Sequence, residues 1–125
     1  MDNIKEVLDG YFTAWNDGLI SKNGDGIRNY MSKNFVGYWA HSNIDKPDSY
    51  YYDYDLDSIL KQMDNAKKSF ETVSITERRN GEEYLVLGKE TNLIKAEPYT
   101  AQCMLVWRKE DSEWKLLREY IELER

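Results

Sequence analysis

The stretch 99–123, YTAQCMLVWRKEDSEWKLLREYIEL, decides how the chain folds. Side chains of a strand alternate between its two faces. Tyr99, Ala101, Cys103, Leu105 and Trp107 therefore share one face, and Gln102, Met104 and Val106 the other. After a charged link, Trp114, Leu116, Arg118 and Tyr120 alternate with Lys115, Leu117, Glu119 and Ile121. Both faces are largely apolar, so each strand must be covered on one side and at least half covered on the other, as in the middle of a sheet. The link 109–113 has no Asn-Gly or Asp-Gly pair, so it fixes neither turn type nor pairing register, and the concave face stays open between the two sets.

Upstream, the runs 70–79 and 82–93 flank Asn80-Gly81, whose residues tolerate the positive φ of a hairpin turn, which predicts a second hairpin. The connection 94–98 leads from it into the first, giving four antiparallel strands. Near the start, Ile4, Val7, Leu8, Tyr11, Phe12 and Trp15 recur at spacings of three and four, the stripe of an amphipathic helix capped by Asp2 and stopped near Gly18. Gly10 inside it costs about 1 kcal/mol relative to Ala and points to close packing. Asp25 caps a short helix carrying Ile27, Tyr30 and Met31 and ending near Lys33.

The segment 35–41, FVGYWAH, reads as a strand with Phe35, Gly37, Trp39 and His41 on one face, its glycine marking a bend or the close approach of another backbone. Segment 42–54, which holds Tyr50, Tyr51, Tyr52 and Tyr54, reads as a surface loop whose rings meet a ligand or partner, or pack onto the sheet. Asp55 caps a third helix to about Lys68 through the stripe Leu56, Ile59, Leu60, Met63 and Ala66. Helices gathered before a meander predict an α+β fold, three N-terminal helices packed on one face of a curved antiparallel sheet.

A length of 125 residues gives one domain, 1–125. With 17 basic and 23 acidic side chains, a net charge of -6 and no Lys/Arg cluster longer than two, the chain lacks the basic surface that nucleic acid requires. The single cysteine, Cys103, excludes an intrachain disulfide and reads as inert packing within its strand. The start, MDNIKEVLDG, is acidic and amphipathic, and no run approaches membrane-spanning length, so the expectation is a cytoplasmic protein with no membrane partner. An aromatic share of 14%, rich in Tyr and Trp, is high and suits either a large-residue core or a pocket.

His41 is the only histidine, so one chain cannot build a multi-histidine or Cys/His metal site. At a strand end it is the candidate catalytic acid or base, beside its plain reading as a partly exposed side chain. Asp53, Asp55, Asp57 and Asp64 partly echo a calcium loop, but Ser58 stands where the sharp turn needs glycine, so the cluster reads as helix N-terminal carboxylates. No metal and no cofactor is expected, since phosphate-loop, nucleophile-elbow and dinucleotide motifs do not occur. Arg118, a charge among Trp114, Leu116 and Tyr120, anchors an anion or carbonyl if its face is concave, and otherwise pairs with a Glu on an exposed face.

Three segments resemble the SnoaL-like branch of the nuclear transport factor 2-like superfamily: VLDGYFTAWNDG as its opening helix, MSKNFVGYWAHS as its helix-to-strand passage, and MLVWRKEDSEWKLLREYIEL as its closing hairpin. The resemblance implies a cystatin-like cone, a strongly curved sheet around the helices with an apolar pocket at one end, commonly a homodimer through the sheet. It also implies a choice among steroid isomerases, cyclases, dehydratases, epoxide hydrolases and noncatalytic binding or assembly domains. Set beside ketosteroid isomerase, Tyr11 falls near the tyrosine that donates to the oxyanion. No acid stands around Tyr38 to Ala40 or around Cys103 to Leu105, where the isomerase has its base and its second oxyanion acid. Where many SnoaL-like chains carry alternating histidines in the last strand, Arg118 and Tyr120 stand here.

The expectation is therefore a homodimeric domain binding a small apolar or aromatic molecule through Tyr11, Trp15, Trp39, His41, Trp107, Arg118 and Tyr120. Two alternatives accompany it. One is a noncatalytic interaction module with a filled cone, and the other an isomerase, cyclase or dehydratase acting on a carbonyl compound through His41 or a loop aspartate.

Overall fold

The apolar stripe at the start of the chain folds as α1 (Ile4–Ser21) in the computed structural model, which describes residues 4–41, 44–63 and 65–124. Asp2 and Asp64, read above as helix-end carboxylates, lie outside the described residues. The helix runs past Gly18 because Lys22 supplies the left-handed terminus (φ 64°) and its N–H closes on Gly18 O at 2.7 Å. Lys22 Nζ then donates to the carbonyls of Leu60 and Met63 at 3.0 and 2.9 Å, tying this end to a later helix.

The order continues as α2 (Asp25–Arg28), β1 (Met31–His41), β2 (Asp48–Tyr51), α3 (Leu56–Gln62), β3 (Ala66–Arg78), β4 (Glu83–Ile94), β5 (Glu97–Glu110) and β6 (Glu113–Leu123). The second and third helices are shorter than expected, because flanking residues find backbone partners in the sheet. Leu116 N–H donates to Tyr30 O at 2.7 Å and Met31 pairs with Leu116, so the chain is extended where helical spacing continued. Part of the expected loop is β2, whose residues pair with β1. Asp55 caps α3 by accepting from Ser58 N–H at 3.1 Å, and Asp57 accepts from Gly24 N–H at 2.7 Å, so both aspartates serve backbone donors.

Six strands form one sheet in the order β2-β1-β6-β5-β4-β3, where the sequence predicts the strand 35–41 and a four-strand meander. Every pairing is antiparallel except β1 with β6, which is parallel. The tight turns are not at Asn80-Gly81. Arg78 pairs with Glu83, leaving a four-residue connection in which Arg79, Asn80 and Gly81 have φ of 52°, 55° and 87°. Two-residue turns occur instead at Lys95-Ala96 (φ 53° and 68°) and Asp111-Ser112 (φ 49° and 68°), the double positive φ of a type I′ hairpin without its usual glycine.

The feature that sets the inside of the fold is a β-bulge. Val106 pairs with Arg118 but Trp107 pairs with Leu116, so Leu117 is an extra residue on β6. The uninterrupted alternation read from the sequence breaks there. Leu116 faces the helices, and past the bulge it is Glu119 that is buried, while Arg118 is exposed. A second bulge at Val73 offsets β3 from β4, and a shift between Met31 and Val36 offsets β1 from β6. Bulges increase local twist, and here they let the sheet curve around α1.

One end of the interior is filled. The Tyr11 ring packs edge-on against Phe12, Tyr30 and Trp107 with centroids 5.1, 5.8 and 5.2 Å away. Leu8, Ile27, Leu60, Val86, Leu105 and Leu116 complete that core. Gly10 serves the packing, since a Cβ there would stand 2.3 Å from the Tyr30 hydroxyl. No helix among the described residues is long and apolar enough to cross a membrane.

Candidate functional site

The other end is open. A cavity of about 740 Å3 lies between α3 and the concave sheet, walled by Trp15, Trp39, Ile59, Met63 and Ile121. Six polar side chains, Tyr50, Tyr54, Lys68, Glu90, Asn92 and Glu119, reach it from the sheet and from the turn after β2.

Glu119, 8% exposed, is its centre. The bulge at Leu117 turns it inward, and Tyr50 Oη donates to its Oε2 at 2.5 Å. Gly37 makes that contact possible. Tyr50 pairs with Gly37, and a Cβ on Gly37 would come within 2.4 Å of the Tyr50 ring, so only glycine lets the ring lie across β1 toward β6. The close approach marked by this glycine is thus by a side chain rather than a backbone. Burial pushes the Glu119 carboxyl up to about 7 against the Tyr50 hydrogen bond, with Glu90 adding to the rise and Lys68 opposing it. Burial and the Glu119 charge hold the phenols of Tyr50 and Tyr54 well above their ordinary range, so both are neutral donors.

A buried ion pair, Lys68 with Glu90, forms the second polar element. Asn16 on α1 brackets the Lys68 backbone, its Nδ2 donating to Lys68 O at 2.9 Å and its Oδ1 accepting from Lys68 N–H at 2.7 Å. The ammonium lies 4.2 Å from the Trp15 ring centroid, a cation–π contact. Cys103 Sγ donates to Glu90 Oε2 at 3.4 Å, and burial with the neighbouring Glu90 charge pushes its thiol far up, which keeps it protonated and unreactive. Asn92 Oδ1 is buried with no hydrogen-bond partner. The tyrosine turn is fixed from outside by Arg28, which donates to the carbonyls of Tyr52 and Tyr54 and lies 5.6 Å from each of their ring centroids.

The seven residues singled out in the sequence are dispersed. Trp15 and Trp39 line the cavity. His41, half-buried, packs edge-on against Trp39 at 5.1 Å but does not line it. Tyr11 and Trp107, 2% and 0% exposed, belong to the filled core. Arg118 and Tyr120 face outward. Arg118 Nη1 donates to Asn34 O and Leu117 O at 3.2 and 2.9 Å, and Tyr120 Oη to Glu122 Oε1 at 2.8 Å. The condition set for Arg118 as an anchor, an inward face, is not met.

Sequence reasoning missed Glu119, Lys68, Glu90 and Asn92, whereas Tyr50 and Tyr54 belong to the tyrosine segment expected either to meet a ligand or partner or to pack onto the sheet. For Glu119 a signal existed: it is the acid between Leu117 and Ile121 in the last strand, an anomaly as clear as that of Arg118. Lys68, Glu90 and Asn92 carry no local signature, because the pairing of β3 with β4 and the curvature of the sheet bring them to the cavity.

No protein-family model matches the chain, and no curated protein matches it. Solved structures do. A protein of unknown function from Shewanella oneidensis MR-1, described as NTF-2 like, superposes with a TM-score of 0.72 at 14% identity, over 95% of each chain. The chain has the nuclear transport factor 2-like fold. Another such structure is a ketosteroid isomerase-like protein from Erwinia carotovora atroseptica SCRI1043, with TM-score 0.64 and 15% identity over 96% of this chain and 92% of that one. A third is a putative calcium/calmodulin dependent protein kinase II association domain from Xanthomonas campestris, with TM-score 0.68 and 16% identity over 98% and 88%. In this nuclear transport factor 2-like cone the cavity is the open end and the Tyr11–Trp107 cluster the closed one.

Proposed function

We propose that the chain is a SnoaL-like domain that binds a small apolar or aromatic molecule in the cone cavity and works as a homodimer. The observation that carries the reading is the cavity itself. About 740 Å3 of space walled by aromatic and aliphatic side chains, with a few fixed polar groups, is the form of a site that binds by burying ligand area and orients with those groups. Trp15 and Trp39 supply flat walls and Glu119 with Tyr50 the polar point. An interaction module with a filled cone fits this interior less well. Glu119, rather than His41, is the group placed to exchange a proton with a bound molecule.

The outer face supports the dimer. Tyr38, Tyr120, Met104 and Leu87 are register neighbours across β1, β6, β5 and β4, with three of them at least 40% exposed, and they form an apolar stripe that a second copy would cover.

Native mass spectrometry of the purified protein, with thermal-shift screening of small aromatic compounds, tests the binding reading. Retained or stabilising compounds are expected, with binding lost in Trp39→Ala and kept in Arg118→Met. If nothing is retained and nothing raises Tm, the reading fails.

A further inference from the structure

The charges around the cavity are unbalanced. Glu90, Glu119 and Asp55 line it, against Lys68 as the cation among the lining residues. Lys68 is already committed to Glu90. Glu119, by contrast, is held by a neutral phenol and has no cation in ion-pair contact among the described residues. Asn92 Oδ1 adds a buried acceptor that lacks a donor. Glu119 and Asn92 Oδ1 therefore ask a ligand for hydrogen-bond donors and positive charge, while carboxylate or phosphate ligands would meet like charge at Glu119.

The same wall shows how it treats an ammonium. Lys68 Nζ sits on the Trp15 ring face, 4.2 Å from its centroid, and against a buried carboxylate. Glu119 lines the cavity together with Trp39, Tyr50 and Tyr54, so a second carboxylate shares the cavity with aromatic rings and has no ion-pair partner among the described residues. Aromatic faces and a desolvated carboxylate are the two elements that recognise an organic ammonium.

We propose that the cavity selects a small aromatic or aliphatic amine, whose protonated nitrogen pairs with Glu119 while its apolar body lies between Trp15 and Trp39. This rests on the reading of the cone as a binding site and names the ligand class. Binding is then linked to protons. Below neutral pH the free protein holds a proton on Glu119, and the arriving ammonium displaces it. Several other ionisable groups face Glu119. Tyr11 of α1 and Tyr50 and Tyr54 of the β2 region are phenols kept neutral by burial, Cys103 of β5 is held as a thiol, and Lys68 of β3 and Glu90 of β4 form an ion pair. Asp55, at the start of α3, is exposed.

A matched set of tryptamine, tryptophol and indoleacetate, equal in ring and differing in the charge of the tail, tests the inference by titration calorimetry on the full chain. At about pH 8 the amine should bind at least about tenfold more tightly than the alcohol, with the acid weakest. Its advantage should shrink toward about pH 5.5, with close to one proton released per ligand in the acid range. Glu119→Gln should remove the amine's advantage over the alcohol and the proton release. If that variant does not fold, the wild-type pH profile decides alone. Alcohol or acid binding as tightly as the amine, or an amine preference that survives Glu119→Gln, overturns the ligand class and leaves the binding site standing. Failure of all three to bind, with no small molecule retained in the native mass spectrum, overturns both.

Discussion

Glu119→Gln should make the protein more stable, by an amount that grows with pH. Burial raises the folded carboxyl from 4.5 to about 7, so between those values the folded state keeps a proton that the unfolded chain has lost. With more protons bound in the folded state, stability falls as pH rises through this window. At roughly 1.4 kcal/mol for each tenfold change in proton affinity, the accumulated penalty is about 3 kcal/mol, fully present above the folded value and absent below the unfolded one. Glutamine has the same shape, carries no charge, and its amide oxygen still accepts the Tyr50 hydrogen bond. Urea unfolding followed by tryptophan fluorescence, at several values from about pH 4.5 to about pH 8, measures the gap between variant and wild type. The gap should widen in favour of the variant up to about pH 7 and then level off. A gap that does not change with pH, or one that narrows as pH rises, refutes the claim that Glu119 is a buried carboxyl with a raised pKa.

Two further outcomes follow from the same geometry. Lys68→Met leaves the Glu90 carboxylate buried without its cation and should cost about 3–5 kcal/mol in urea unfolding, while Lys68→Met with Glu90→Leu should regain most of that loss. A single variant within about 1 kcal/mol of wild type would mean that water reaches the pair. For the outer sheet face, light scattering at micromolar concentration should give twice the 14.8 kDa chain mass, and Met104→Lys, in the centre of the stripe, should return it to 14.8 kDa. Wild type at 14.8 kDa removes the dimer.

Much of the fold is local and was legible. The stripe from Ile4 to Trp15, the Asp55 cap, the aromatic strand at 35–41 and the long strands at the end each satisfy a period or a cap that needs no distant partner, and each appears in the structure. The helices read past Arg28 and Gln62 were wrong at their ends for the opposite reason. There the extended alternative gains inter-strand hydrogen bonds that no window of sequence contains. Asn80-Gly81 marks the β3–β4 hairpin as expected, but the two-residue turns are at Asp111-Ser112 and Lys95-Ala96, because strand registers on both sides dictate where the chain must reverse.

The site was decided almost wholly by tertiary structure. Composition and alternation establish that the last strand carries a cation and an acid at adjacent positions, Arg118 and Glu119, and nothing local says which faces in. One extra residue at Leu117 settles it, since a side-chain period of two means that a shift by one moves every following residue to the other face. At the bulge Trp107 pairs with Leu116 in the core while the next pair, Val106 with Arg118, is displaced by one residue on β6. By itself the sequence determined the three helices, the strand at 35–41 and the closing four-strand meander, and that they enclose an apolar interior. Whether that interior presents a guanidinium or a carboxylate to a ligand was decided by the register between two strands, because register depends on the packing of the whole sheet.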